Sequence, residues 1–118
     1  MKLTIIPIDN AVYVDGYSFI GLNLSTANIP SNVHALQWKN TVGWIEFLDN
    51  DDGTKPQNQP ITELPEWTNA CLVKWTEAKT LEEELARQTA LAAAAALAAA
   101  AALAAANNQP STTGSQDL

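Results

Sequence analysis

The fold of this chain is decided by the stretch WTNACLVKWTEA, residues 67–78. Trp67, Cys71, Trp75 and Ala78 recur in it at spacings of four, four and three, which places them on one face of an α-helix. The stretch therefore predicts an amphipathic helix whose apolar face packs against other elements.

The segments before this helix predict a small antiparallel β-sheet. Residues 3–8, 11–14 and 17–20 are rich in β-branched and aromatic side chains, and Asp15-Gly16 lies between the last two segments. This dipeptide favours a two-residue hairpin turn, because glycine accepts the positive φ that the turn requires. A second pair of strands is predicted by residues 33–38 and 43–48.

The predicted fold class is therefore α+β, a meander of four or five strands packed on a long helix. Residues 49–59 are expected to form a solvated loop, and Pro65 is tolerated in the first turn of the helix. The helical stripe is expected to meet four sheet residues: Leu36, Trp38, Ile45 and Phe47.

The four tryptophans are the densest unusual property of this head. Exposed tryptophans can stack on sugars, but two of these lie on one helical face and two in strands. We therefore expect core packing for all four: Trp38, Trp44, Trp67 and Trp75.

After Ala78 the helix becomes a rod of alanine. Residues 90–106 contain fourteen Ala and three Leu, and alanine is the strongest helix former. No Gly or Pro occurs from Glu66 to Gln109, so we expect one helix of about forty residues, about 60 Å long. The chain is therefore predicted to have three parts: a head, 1–80; an extended helix, 81–106; and a disordered tail, 107–118.

The leucines of the extended helix form the expected association surface: Leu81, Leu85, Leu91, Leu97 and Leu103. The last three are six residues apart, so each points about 120° away from the next, and no two-stranded zipper seam forms. Two interpretations follow: a passive helical spacer, or a helix enclosed by neighbours in a symmetric bundle that makes the chain a homo-oligomer.

A membrane span is the third interpretation of the tract, and the sequence disfavours it. Seventeen residues extend about 26 Å, short of a hydrocarbon core of about 30 Å. No Lys or Arg follows Arg87 to anchor the far end.

Composition excludes several function classes. The net charge of −7 disfavours nucleic-acid binding, because a phosphate footprint needs clustered cations. Cys71 is the single cysteine, which leaves no internal disulfide and suits a reducing compartment. The chain is expected to use no cofactor and no metal.

Candidate catalytic groups are sparse. His34 is the one histidine and has no acidic neighbour in sequence, so we expect a structural or surface role. Cys71 is expected to be an inert buried thiol. The loop 49–53 fails the calcium-loop pattern, since Leu48 would hold the first ligand position and Gln59 the last. The sequence therefore predicts a protein that is not an enzyme.

Residues 1 to about 80 resemble the N-terminal region of small tailed-bacteriophage proteins found among tail genes. The segments that carry the resemblance are Leu3-Thr4-Ile5-Ile6-Pro7, Val12-Tyr13-Val14-Asp15-Gly16, Val33-His34-Ala35-Leu36-Gln37-Trp38, Gly43-Trp44-Ile45-Glu46-Phe47 and Leu64-Pro65-Glu66-Trp67. Members often continue into a segment similar to tail-fibre assembly chaperones. In this chain the alanine helix stands in that place, which puts the chaperone activity in doubt.

The resemblance implies a phage tail or its assembly as the setting, with tail or tail-fibre proteins as partners. The expected function is non-enzymatic tail or tail-fibre assembly or attachment, located in the host cytoplasm during assembly or in the virion tail. The alternative is a permanent virion subunit, such as a decoration or fibre-attachment protein. A third class, a glycan-binding or hydrolytic tail protein, is disfavoured because the sequence offers no paired catalytic carboxylates.

Overall fold

The computed structural model describes residues 1–108 and confirms the α+β fold class. A six-stranded antiparallel sheet is followed by one long helix. The bounds are β1 Lys2–Ile6, β2 Ala11–Val14, β3 Tyr17–Phe19, β4 Val33–Lys39, β5 Val42–Phe47, β6 Gln59–Ile61 and α1 Trp67–Asn108.

The strand order is β3-β2-β1-β4-β5-β6, so the sheet joins two three-stranded meanders. The first strand lies in the middle, where Leu3 is paired with Val14 on one side and with Trp38 on the other. The expected count of four or five strands was too low, because Gln59–Ile61 pairs with β5, and this short segment begins at the last residue of the expected loop 49–59. Proline has no backbone N–H to donate, and Pro60 is tolerated here because β6 is an edge strand with a neighbour on one side only.

The predicted hairpin at Asp15-Gly16 is confirmed. Both residues have positive φ, 50° and 84°, and the flanking Val14 and Tyr17 are paired. The first strand ends earlier than expected, because Pro7 begins a single 3-10 turn that closes at Asn10 with a φ of 48°.

The core lies between one face of the sheet and the beginning of α1. Leu3, Ile5, Val12, Leu36 and Cys71 have no exposed surface. Further core members are Val14, Leu24, Ala27, Val33, Trp38 and Ile45, with Phe47, Trp67, Ala70, Leu72 and Trp75 packed against them. Three of the four predicted stripe residues, Trp67, Cys71 and Trp75, therefore belong to or pack against the same core as the predicted sheet residues.

The long helix is continuous over 42 residues, as its lack of Gly and Pro predicted. It includes Asn107 and Asn108, which the sequence placed in the tail; the expected disorder of the following residues lies outside the described part of the chain. The chain divides into two compact units between Thr80 and Leu81.

Candidate functional site

Three of the four tryptophans occupy the head core as predicted, and Trp44 does not. Trp38 is 8% exposed, while Trp67 and Trp75 are half-buried against the core. Trp44 is 43% exposed, so the prediction that it is a core residue was wrong. The reason is strand alternation: Ile45 points to the helix, and its neighbour Trp44 must point to the other face.

The face opposite the helix carries a row of side chains in register across the sheet. Tyr13 pairs with Thr4, Thr4 with Gln37, Gln37 with Trp44, and Trp44 with Pro60. The Thr4 hydroxyl donates to Gln37 Oε1 at 2.7 Å. We call this surface the open face.

The orientation of Trp44 on the open face is fixed by Glu46. Its indole Nε1 donates to Glu46 Oε2 at 2.9 Å, along the same strand and on the same side of the sheet. The side chain of Trp44 is therefore partly exposed while its single polar atom is already bonded.

Glu46 also lines an open pocket of about 620 Å³ at the end of the open face. This pocket lies between the β4–β5 pair and the loop that leads to β6. Its other lining residues are His34, Phe47, Leu48, Asp49, Lys55, Pro56 and Asn58. We call it the loop pocket, and it brings two carboxylates, one ammonium group, one imidazole and one carboxamide into one concave site.

His34 reaches the loop pocket through an irregularity in β4. The pairing register shifts between Val33 and Ala35, so His34 is the extra residue of a bulge opposite β5. Bulges change the direction of a side chain and occur often beside binding sites. The histidine is exposed, as expected, but the fold gives it the acidic neighbours Glu46 and Asp49 that its own sequence neighbourhood lacks.

Sequence reasoning found neither the loop pocket nor the row that leads to it. The one available signal was the alternation Val42 to Phe47, which places Trp44 and Glu46 on the side opposite Ile45. The sugar-stacking role that the sequence set aside for Trp44 is thus compatible with its position.

Cys71 is a free, fully buried thiol on the helix face that packs on the sheet. Burial raises its pKa from the ordinary 9.0 to about 11. The thiolate is therefore disfavoured at neutral pH, which agrees with the expected inert role.

The acidic loop folds as a solvated turn. The Asp52 carboxylate accepts from the Thr54 hydroxyl at 2.6 Å and from its N–H at 3.0 Å, and these bonds lower the pKa of Asp52. Within residues 1–108, no group of three or more His, Cys, Asp or Glu side chains is placed to hold a metal ion.

The expected association leucines are all exposed. Their exposed fractions run from 53% to 72% for Leu81, Leu85, Leu91, Leu97 and Leu103. On the same helix, the Arg87 guanidinium pairs with the Glu84 carboxylate one turn earlier. Residues 90–106 of this helix are all alanine or leucine, so the apolar surface is continuous around this part of the helix.

Residues Trp67–Asn107 are also long and apolar enough to cross a membrane, judged by length and composition alone. The most apolar part of this helix has no buried surface in the chain itself.

No protein-family model, curated protein or solved structure matches this chain.

Proposed function

We propose that this chain is a non-enzymatic assembly protein whose alanine-rich helix associates with copies of itself. The observation that carries the proposal is the exposure of five leucines on a continuous apolar helix. Contiguous apolar surface of this extent on a soluble chain marks an interaction site.

The direction of the leucines supports a bundle over a pair. Leu91, Leu97 and Leu103 point about 120° apart, so one neighbouring helix covers only one of them. Full burial of a leucine stabilises by about 1.5–3 kcal/mol, and the covered surface must also offset an association cost of about 4–15 kcal/mol. Neighbouring helices on several sides are therefore needed to cover enough apolar surface to offset this cost. The small alanine side chains between the leucines let those helices approach closely.

The setting of this assembly is a phage tail. The resemblance of residues 1–80 to tail-gene products is the basis for this part of the proposal, and tail or tail-fibre proteins are then the partners of the head. The chain acts in the host cytoplasm during tail assembly. The second form of the proposal is a permanent virion subunit that forms a homo-oligomer through the same helix.

Sedimentation of the full chain tests the self-association. The wild type is expected to run as an oligomer, and a variant with Leu91, Leu97 and Leu103 all replaced by Gln as a monomer. A chain that ends at Arg87 gives the same contrast, and a triple replacement of Leu91, Leu97 and Leu103 by Met is the control, since it keeps these positions apolar and is expected to leave the oligomer intact. A wild-type chain that stays monomeric at high concentration contradicts the proposal.

Two further measurements separate the alternatives. Flotation with phospholipid vesicles, together with a monomeric state in detergent, would indicate a membrane helix and contradict the bundle. Mass spectrometry of purified virions distinguishes the two forms of the proposal, since an assembly factor is absent from virions and a subunit is present in fixed copy number.

A further inference from the structure

The open face presents an aromatic ring whose hydrogen-bonding capacity is already used. Trp44 is 43% exposed, and its Nε1 donates to Glu46. Because the only N–H of the indole is already bonded, the exposed part of the side chain offers a ligand hydrocarbon surface and no free donor. A ligand that exploits it must bring a flat apolar patch of similar size.

The surroundings of this ring are polar. Glu46 links the ring directly to the loop pocket, where Asp49 and Asn58 offer oxygen acceptors and where Lys55 and the Asn58 amide offer donors. One carboxylate oxygen of Glu46, Oε2, accepts the bond from Trp44, and the other oxygen is not part of that bond. A ligand that extends from the Trp44 ring past Glu46 into the pocket therefore meets an apolar surface at one end and donors and acceptors at the other.

This combination excludes a purely apolar partner. A hydrophobic peptide or helix seated here would remove the carboxylates of Glu46 and Asp49 from water without bonding them, which is strongly unfavourable. A ligand with hydroxyl groups instead bonds these carboxylates while a face of C–H groups covers the indole.

The charge balance excludes a nucleotide or an acidic glycan. The pocket holds the carboxylates of Glu46 and Asp49 against the single ammonium group of Lys55, and the whole chain carries −7. Phosphate, sulfate or carboxylate groups on a ligand would meet a repulsive field.

We propose that Trp44 and the loop pocket form a binding site for a neutral saccharide, with a pyranose ring stacked on the indole and its hydroxyl groups bonded to Glu46, Asp49 and Asn58. Pyranose rings have the required two-sided chemistry, an apolar C–H face and a rim of hydroxyl donors and acceptors. The site lies wholly in the head and is independent of the association proposed for the helix.

The test begins with the labelled full chain on a panel of neutral, N-acetylated, sialylated and sulfated oligosaccharides, followed by titration calorimetry with the best neutral oligosaccharide. Trp44→Ala is expected to weaken this binding by about tenfold or more, the scale of one stacked aromatic contact. Trp44→Phe keeps a ring and is expected to retain most of the affinity.

Val42→Ala is the matched control, since Val42 lies two residues away on the same strand and face and is 55% exposed. It is expected to leave the dissociation constant within about twofold. Asn58→Ala, in the loop that lines the pocket, provides a second variant in case Trp44→Ala unfolds, and thermal unfolding of each variant verifies the fold.

Three results would overturn the site. These are an absence of binding to every neutral glycan up to millimolar concentration, binding restricted to the sialylated or sulfated glycans, and binding that neither Trp44→Ala nor Asn58→Ala weakens. The leucine-to-glutamine helix variant is expected to bind saccharide like the wild type, so failure of one proposal is distinguishable from failure of the other.

Discussion

The indole Nε1 of Trp75 donates a 2.9 Å hydrogen bond to the backbone carbonyl of Tyr17. This bond joins the helix to β3, which is an edge strand of the sheet. The Trp75 ring also makes edge contacts with Tyr17 and Phe19, at centroid distances of 6.4 and 6.0 Å. The hydrogen bond and the ring contacts together attach the beginning of the helix to this edge strand.

Replacing Trp75 tests the energetic weight of this link. Trp75→Phe is expected to lower the free energy of unfolding by about 1 kcal/mol, the typical net value of one hydrogen bond. Trp75→Ala is expected to cost about 3 kcal/mol, because the ring contacts are lost as well. Urea unfolding followed by circular dichroism measures both.

Trp44→Phe is the matched control for this pair, since Trp44 is 43% exposed and its hydrogen bond joins two residues of one strand, whereas Trp75 packs against the core and bonds to a distant strand. A change within about 0.5 kcal/mol is expected for it. Equal losses for the two Trp→Phe variants would contradict the structural role assigned to Trp75.

Two glycines are expected to respond differently to alanine. A Cβ at Gly43 would lie 2.0 Å from the carbonyl oxygen of Gln37, so Gly43→Ala must displace β4 from β5 and is expected to cost about 3 kcal/mol or more. At Gly16 the space is open but φ is +84°, so Gly16→Ala is expected to cost about 1 kcal/mol from backbone strain alone. Thermal unfolding that ranks Gly16→Ala as the more harmful change would contradict this reading.

The buried thiol of Cys71 predicts a dependence of stability on alkaline pH. Its pKa is raised to about 11 in the folded chain, against 9.0 as its ordinary value. Between these values the unfolded chain loses the proton first, so stability is complete below about pH 9 and falls as the pH rises toward about 11, with a limiting slope of about 1.4 kcal/mol per unit.

Cys71→Ala isolates this contribution, because other groups also titrate at alkaline pH. The difference in unfolding free energy between wild type and variant is expected to shrink across this pH range. In the native protein iodoacetamide is expected to leave Cys71 unmodified at pH 8 and to react once urea unfolds the head. Rapid native labelling would contradict the buried position.

All four tryptophans precede Thr80, so tryptophan fluorescence reports the head alone while ellipticity at 222 nm is dominated by the helix. Among residues 81–108, none belongs to the hydrophobic core. Ala98→Pro is expected to disrupt the rod by about 3 kcal/mol locally and to reduce the ellipticity. The fluorescence midpoint in urea is expected to stay unchanged, and Ala98→Leu serves as the helix-compatible control; a shared shift of both signals would contradict this separation.

Local patterns were sufficient for much of the head. The Asp15-Gly16 turn follows from the positive φ that only a few residues accept, and the helix follows from the spacing of Trp67, Cys71 and Trp75. The length of the helix follows from the alanine tract, because no residue within it interrupts backbone hydrogen bonding. Each of these results depends on residues that are neighbours in sequence or one helical turn apart.

The arrangement of the sheet and the candidate site was decided by tertiary structure. The first strand pairs with β4 across more than thirty residues, β6 forms only because β5 offers it an edge, and Trp75 reaches Tyr17 across 58 positions. His34, Glu46 and Asp49 share one pocket because a bulge and a loop turn them to the same side. The sequence by itself determined five of the six strands, the Asp15-Gly16 turn and the helix, since those depend on local periodicity and backbone preference. Only the tertiary structure formed β6 and assembled the loop pocket, because pairing between distant strands selects which side chains meet.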